Sequence, residues 1–152
     1  MAFHFLNPSC NMFIFFLFWS RSLPLSESDL THFTCTSDNI IYCISCRKYP
    51  RTVYIGETGR RLADRFREQR HDVLHKKSNL PVSQHFNSPG HSVEDVRVAV
   101  LKSGLAKKDV RHREEMRQIF KFQTLAPRGI NRDFSFTVFA RANSSKTAQD
   151  CK

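Results

Sequence analysis

Two runs of β-branched and aromatic residues stand close together near the middle of the chain. NIIYCISC (39–46) and TVYIG (52–56) both have the composition of β-strands. Only the basic loop RKYPR (47–51) separates them, and so short a connection joins two strands as an antiparallel hairpin. The sequence therefore predicts a fold built on this hairpin.

The residues after the hairpin have the pattern of a helix. Thr58 is a suitable cap for a helix that starts near it. Leu62, Phe66 and Val73 then fall on one apolar stripe of that helix. Residues 76–92, with two prolines and a glycine, predict an irregular connection.

A third strand and a second long helix are predicted further along the chain. Valines alternate with polar or small residues in VEDVRVAVLK (93–102), which is typical of a strand. Residues 106–123 predict the helix, and Pro127 and Gly129 would end it. The predicted order is therefore β-β-α-β-α.

The chain is strongly basic. It carries a formal net charge of +10 and has a pI near 9.8, which favours a polyanionic partner: nucleic acid or an anionic membrane surface. Residues 47–77 hold ten Lys or Arg against four Asp or Glu, and residues 102–132 hold nine against three. Such charge binds phosphates without reading base sequence. No recognition helix or zinc finger that would select a target is evident in the sequence.

The two ends of the chain differ in composition from the predicted domain between them. MFIFFLFW (12–19) is apolar, but a bilayer-spanning helix needs about 20 such residues, so we expect no stable membrane insertion. Residues 1–11 lack the basic residues of a signal peptide. We therefore predict a non-domain leader and linker over 1–38, one domain over 39–135 and a polar C-terminal tail over 136–152. The odd cysteine count of five argues against a disulfide framework and favours an intracellular location.

Several polar residues fall beside the predicted core. Tyr42 and Tyr54 lie on the two hairpin strands, and Arg65 lies on the same side of the first helix as Leu62. Glu115 borders the apolar face of the second helix, where a carboxylate is costly unless it is paired or binds a metal. Its neighbour Glu114 aligns with the solvated face. The basic pair Arg60 and Arg61 is a candidate phosphate-binding site.

Each of these residues also has a simpler interpretation. The two tyrosines could be ordinary strand aromatics, and Arg65 one more solvated charge. Glu115 could pair with Arg111, one helical turn earlier. Cys43 and Cys46 form a CxxC sequence, but their odd spacing in a strand places the thiols on opposite faces, which disfavours a shared metal.

In combination, however, the motifs resemble a known family. Tyr42 in IIYCI, YIG at 54–56, a helix arginine, a helix glutamate and a late asparagine are similar to the GIY-YIG nuclease superfamily. The strings YIGETGRRL, QHFNSPGHS and TLAPRGIN resemble its branch in Penelope-like retroelements, over roughly residues 39–132. The resemblance implies an α/β (α+β) fold with a small three-stranded antiparallel sheet flanked by helices.

The resemblance also implies a role for each residue that matches a motif. Tyr42 corresponds to a general base that activates water, and Tyr54 to a residue that positions the nucleophile or the phosphate. Arg65 corresponds to the arginine that binds the scissile phosphate. Glu115 corresponds to the ligand of one divalent ion, Mg²⁺ or Mn²⁺, and Asn131 to a late structural or active-site asparagine.

The sequence departs from the family pattern at two positions. Gln69 stands where the family often has a histidine, and glutamine cannot shuttle a proton. Tyr49 stands where the retroelement branch often has a second cysteine after Cys46, which argues against a zinc knuckle in the hairpin. Gln69 and His85 are accessory candidates. His85 and His91 flank a Pro-Gly turn, and His91 is predicted only to fix that loop.

The resemblance predicts a metal-dependent endonuclease that hydrolyses DNA phosphodiester bonds, located in the nucleus. Its partners would be DNA and, in a parent element, a reverse transcriptase. Two alternatives stay open. One is a nucleic-acid-binding module that has lost catalysis, which Gln69 favours. The other is a retroelement remnant, which the unusual leader favours.

Overall fold

The computed structural model describes residues 34–51 and 53–134; the leader up to residue 33 and the predicted tail lie outside this part of the chain. Three strands and three helices are arranged as an α+β fold, as predicted. They are β1 (Ile40–Cys46), β2 (Val53–Thr58), α1 (Leu62–Leu74), α2 (Pro81–Phe86), β3 (Val96–Lys102) and α3 (Lys108–Phe122). Among the described residues, no helix has the length and apolar composition needed to cross a bilayer.

The predicted hairpin is the centre of the fold. The sheet is antiparallel with the order β2-β1-β3, so β1 is the central strand and β2 lies at one edge. Tyr42 in β1 faces Gly56 in β2 and Val100 in β3. This register decides which β1 side chains point to each face of the sheet.

Both faces of the sheet are covered. On one face, α1 and α2 pack through Leu62, Phe66 and Phe86 against the face that carries Tyr42 and Cys46. On the other face, α3 packs through Met116 and Ile119 against Ile41, Cys43 and Ile55. A strand buried on both sides explains why β1 is a continuous apolar run. It also confirms that Cys43 and Cys46 lie on opposite faces. Both carry free thiols, whereas Cys35 is disulfide-bonded.

The start of α1 differs from the prediction. Thr58 does not cap the helix, because it is the last residue of β2 and pairs with Ile40. Its hydroxyl accepts a hydrogen bond from the Arg60 N–H instead, within the turn that follows the strand. Helix α1 begins at Leu62, whose N–H donates to the Ser37 carbonyl. A segment that is distant in sequence thus supplies the acceptor that a capping side chain would supply.

The connection over 76–92 is not wholly irregular, because it contains α2. Pro81 occupies the first turn of this short helix, where its missing N–H is tolerated. Polar side chains tie α2 to the end of α1: the Ser83 hydroxyl donates to the Asp72 carbonyl, and the Asn87 amide donates to the Val73 carbonyl. A single 3-10 turn (Val93–Asp95) follows, so β3 begins three residues later than predicted.

Glu114 on α3 is buried, contrary to the prediction that it lies on the solvated face. Its carboxylate accepts hydrogen bonds from Arg117 at 2.6 Å and Gln118 at 2.7 Å, and it pairs with Lys102 of β3 at 3.4 Å. Burial raises the pKa of this carboxyl, but these partners outweigh the effect and hold it below its usual range. The long partner side chains cover Glu114, a contact that helical periodicity does not reveal.

The segment TLAPRGIN (124–131) is hydrogen-bonded to the edge strand β2. The Asn131 side chain accepts from the Ile55 N–H and donates to the Ile55 carbonyl, both at 2.8 Å. The Thr124 hydroxyl donates to the same Asn131 oxygen at 2.8 Å. A Cβ on Gly129 would lie 2.1 Å from the Thr124 carbonyl oxygen, so only glycine fits there. Asn131 thus supplies hydrogen-bond partners to the backbone of β2, an edge strand that has no further strand beside it.

We expect Asn131→Ala to lower the free energy of unfolding by about 2–4 kcal/mol, because it leaves three buried groups without partners. Thr124→Val is the matched control, since it removes one of the three hydrogen bonds and should cost about 1 kcal/mol. Urea unfolding of both variants measures the difference. Equal losses in the two variants would contradict this role for Asn131.

Candidate active site

Tyr42, Tyr54 and Arg65 meet on the α1 side of the sheet. The Arg65 Nε donates a hydrogen bond to the Tyr42 hydroxyl at 3.0 Å. The two tyrosine rings are 6.4 Å apart between centroids. The structure therefore brings together three of the residues that the sequence singled out, from β1, β2 and α1.

Gly56 makes this arrangement possible. A Cβ on Gly56 would lie 2.8 Å from the Tyr42 hydroxyl oxygen and 2.8 Å from a ring carbon of Tyr54. Contacts that short do not occur between real side chains, so any larger residue would move one ring or the strand. The close packing of the two tyrosine rings thus explains why the YIG sequence has a glycine at position 56.

Glu115 approaches the tyrosines from α3. Its negative charge contributes to raising the pKa of both Tyr42 and Tyr54, and it lies beside the Glu57 backbone at the end of β2. Its carboxylate contacts His112 Nδ1 at 3.1 Å, and its side chain is 14% exposed. The alternative pair with Arg111 does not form, because Arg111 binds Glu57 at 2.7 Å instead.

Without a bound cation, the surroundings of Tyr42, Tyr54 and Glu115 raise the pKa of each group and so favour its uncharged form. Burial raises the pKa of Tyr42, while the charge and hydrogen bond of Arg65 oppose the shift. Burial also raises the pKa of Tyr54. The pKa of Glu115 is raised, first by burial and further by the charge of Glu57, although His112 opposes this. A divalent cation would reverse these shifts, so the carboxylate fits the role of a metal ligand.

Gln69 is part of the same cluster. It is buried, and its amide donates a long hydrogen bond of 3.4 Å to the Tyr42 hydroxyl. The Tyr42 oxygen thus has two donors, Arg65 and Gln69. Both stabilise negative charge on that oxygen, but neither can accept a proton from it.

The two arginines predicted to bind phosphate, Arg60 and Arg61, have different surroundings in the structure. Arg60 is engaged by Glu68 through two hydrogen bonds of 2.6 and 2.7 Å. Arg61 is exposed at the start of α1, with no ion pair or side-chain hydrogen bond to another described residue. Asn131 lies beneath β2 and is fully used by Ile55 and Thr124, so it is a positioning residue rather than a group at the reacting atoms.

His85 lies apart from the tyrosines, in a second polar cluster with Cys46 and His91. One ligand atom from each of the three residues lies within 4.8 Å of the others. The Cys46 sulfur is 3.4 Å from His91 Nδ1, and the two imidazole rings are 4.4 Å apart. The cluster therefore joins the end of β1 to α2 and to the loop after it.

Two observations suit this cluster to a metal ion. His85 Nε2 is buried and has no hydrogen-bond partner, which is unusual for a polar atom. Burial and the neighbouring His91 lower the pKa of His85, which keeps the imidazole neutral as a ligand must be. Thiolate and imidazole are ligands that Zn²⁺ prefers. The Cys46, His85 and His91 cluster could thus hold a metal ion.

Tyr49 lies next to the cluster of Cys46, His85 and His91. Its ring lies 5.0 Å from the His91 ring, and it lines a cavity of about 460 Å³ together with His85, His91 and Arg132. The cluster thus offers three protein ligands, and its two histidines line this cavity. Cys43 lies on the other face of the sheet and does not belong to the cluster.

Three features of the site were not predicted from the sequence: the cluster of Cys46, His85 and His91, the contact of His112 with Glu115, and the contact of Glu68 with Arg65. The cluster joins residues that are 45 positions apart, so no local spacing encodes it. His112 has a local signal, since it precedes Glu115 by three residues on a helix. Glu68 stands three residues after Arg65, and this spacing also predicts contact.

Comparisons with known proteins do not show a family for the chain. No protein-family model matches the chain. Neither a curated protein nor a solved structure shows significant similarity to it.

We expect the full chain to bind one Zn²⁺ at Cys46, His85 and His91, and binding to raise the melting temperature. A ligand at 100 times its dissociation constant stabilises the folded state by about 2.7 kcal/mol. Thermal unfolding with Zn²⁺ or a chelator measures the shift. It should vanish in His85→Ala but persist in His71→Ala, which removes a histidine outside the cluster. A shift unaffected by His85→Ala would contradict this site.

Proposed function

We propose that this chain is a metal-dependent DNA endonuclease of the GIY-YIG type, related to the endonuclease domain of Penelope-like retroelements. The observation that carries the proposal is the convergence of Tyr42, Tyr54 and Arg65 beside Gly56, with Glu115 close enough to affect both tyrosines. These residues come from four separate elements. Ordinary packing does not require a tyrosine pair, an arginine and a carboxylate to meet at one place on the sheet.

Arg65 is suited to hold a phosphate. Its guanidinium uses Nε for the Tyr42 hydroxyl and keeps other N–H groups on the side toward Glu68. Its side chain is 28% exposed, so a phosphate oxygen can reach it from solvent. A fixed guanidinium stabilises the negative charge that builds up on phosphate oxygens during hydrolysis.

Tyr42 is the group placed to take the proton of an attacking water. In hydrolysis, the water oxygen bonds to phosphorus, the bond to the ester oxygen breaks, and the water proton must pass to a base. Burial keeps the Tyr42 hydroxyl protonated at neutral pH, so it needs a nearby cation to act as that base. Arg65 supplies one positive charge through the 3.0 Å hydrogen bond.

Glu115 is the residue that would hold a divalent ion such as Mg²⁺ or Mn²⁺. Once bound, such an ion supplies positive charge to the phosphate and to the leaving oxygen. The protein contributes an oriented carboxylate, with His112 fixing one oxygen and the Glu57 backbone adjoining it. Both arrangements limit the rotation of the Glu115 side chain.

A binding module without catalysis is the second candidate. Gln69 favours it, because the residue beside the Tyr42 hydroxyl can donate a hydrogen bond but cannot relay a proton. The excess of basic residues would support DNA binding in either case.

We expect the full chain to nick supercoiled plasmid in the presence of Mg²⁺ or Mn²⁺. Arg65→Ala and Glu115→Ala should each lower the rate by at least about 100-fold, because each removes charge stabilisation of the transition state. Glu94→Ala, an exposed carboxylate change, is the control for general charge effects. Nicking that survives in both site variants would show that another site or a contaminant is responsible.

We expect Gln69→His to raise the nicking rate of the parent chain by about 10- to 100-fold, since positioned acid-base groups commonly contribute on that scale. The nicking rates of the parent chain and of Gln69→His are compared under single-turnover conditions at pH 7 and pH 8. If the parent binds DNA without cutting, revival by Gln69→His would favour the lapsed enzyme. Binding with no cutting in either protein would favour the binding module.

A further inference from the structure

Glu68 contacts two of the arginines at the candidate active site. Its carboxylate takes both terminal nitrogens of Arg60, at 2.6 and 2.7 Å. One of the same oxygens also accepts from Arg65 Nη1 at 3.3 Å. One carboxylate therefore lies between two guanidinium groups that come from different positions in the chain.

This geometry is the one that a phosphate would adopt. Arginine binds carboxylates and phosphates in the same bidentate manner, with two parallel N–H donors. Arg65 keeps its Nε on the Tyr42 hydroxyl while its Nη1 contacts Glu68, and the side chains of Arg65 and Glu68 are 28% and 43% exposed. The hydrogen bonds from Arg60 and Arg65 lower the pKa of Glu68 to about 2, which keeps the carboxylate charged.

We propose that Glu68 is an internal substitute for a DNA phosphate: in the free protein it occupies Arg60 and Arg65, and DNA binds there only by displacing it. The inference rests on the proposed function, because it concerns the arginines of that site. It adds a contact that competes with DNA and a residue that sets the affinity for DNA.

The contact is suited to displacement because it is accessible. The side chains of Arg60 and Glu68 are 59% and 43% exposed. Exposed ion pairs contribute little to stability and are easily exchanged. A DNA phosphate could thus replace Glu68 without local unfolding, while the Tyr42 hydrogen bond keeps Arg65 in place.

A purely positioning role for Glu68 predicts a different result. If the carboxylate only orients Arg65, its removal should lower the nicking rate and leave DNA affinity unchanged. If it competes with DNA, its removal should raise affinity, because DNA no longer has to displace the carboxylate from the two arginines. The dissociation constant for DNA therefore separates the two roles. The slope of log K against log salt should change by less than the value of about 0.9 for one added phosphate contact, because both proteins place the same arginines on DNA once it is bound.

The matched control is Asp64→Asn. Asp64 lies on the same helix, is 48% exposed and forms its ion pair with Arg67 at 3.0 Å. The change removes the same charge and also releases one arginine. It therefore reproduces the general electrostatic gain of Glu68→Gln without freeing Arg60 and Arg65.

The test measures binding of the full chain to a short fluorescent DNA duplex by anisotropy, with a chelator and at several salt concentrations. Glu68→Gln should tighten the dissociation constant by about 3- to 10-fold with little change in the salt slope, whereas Asp64→Asn should change affinity less than about 2-fold. In an Arg60→Ala background, the gain from Glu68→Gln should fall by at least half.

Other results would overturn the inference. If Glu68→Gln and Asp64→Asn bind equally well, or if Glu68→Gln only slows nicking, Glu68 does not compete with DNA and the proposed endonuclease is unaffected. If no variant binds DNA at any salt concentration, the proposed function fails and this inference fails with it.

Discussion

The contact between Tyr42 and Gly56 is the constraint on which the site depends. These residues face each other across β1 and β2, and the ring of Tyr42 fills the space that a side chain at position 56 would need. A shift of one residue in this pairing would move Tyr42 to the α3 side, away from Arg65. The hairpin register and the site geometry are therefore set by the same contact.

The edge position of β2 explains how residues from both faces of the sheet reach one site. Tyr42 and Arg65 lie on the α1 face, while Glu115 belongs to α3 on the opposite face. Because no strand of the described residues lies beyond β2, its outer side is open to side chains, and the Glu57 backbone hydrogen-bonds with Glu115. Such an edge needs support, which Asn131 gives at Ile55 and Arg111 gives at Glu57. Two residues outside the site thus hold the strand that forms it.

The sequence predicted the elements whose patterns are local. The hairpin, the stripe of α1, the alternating valines of β3 and the length of α3 all follow from periodicity, and the structure confirms them. Motif order likewise indicated Tyr42, Tyr54 and Arg65, and the structure places them together.

The errors arose where distant residues satisfy local polar groups. The Ser37 carbonyl replaces a side-chain cap at α1, and Lys102 of β3 helps bury Glu114. Helix α2 is short and contains a proline, so it lacks a periodic signal, and its Ser83 and Asn87 contacts reach back to α1. In each case a tertiary contact overrides what propensity alone predicts.

The two polar clusters lie at different places along the same strand. Tyr42 and Cys46 are on the same face of β1, four residues apart, which corresponds to about 13 Å along a strand. The cluster at Cys46 joins β1 to the loop that carries His91, and Lys48 and Arg47 pair with Asp95 nearby. A metal there would act on the stability of the sheet rather than on a phosphate bound at Arg65. A metal at Cys46 would thus bind the same strand whose pairing places Tyr42 opposite Gly56.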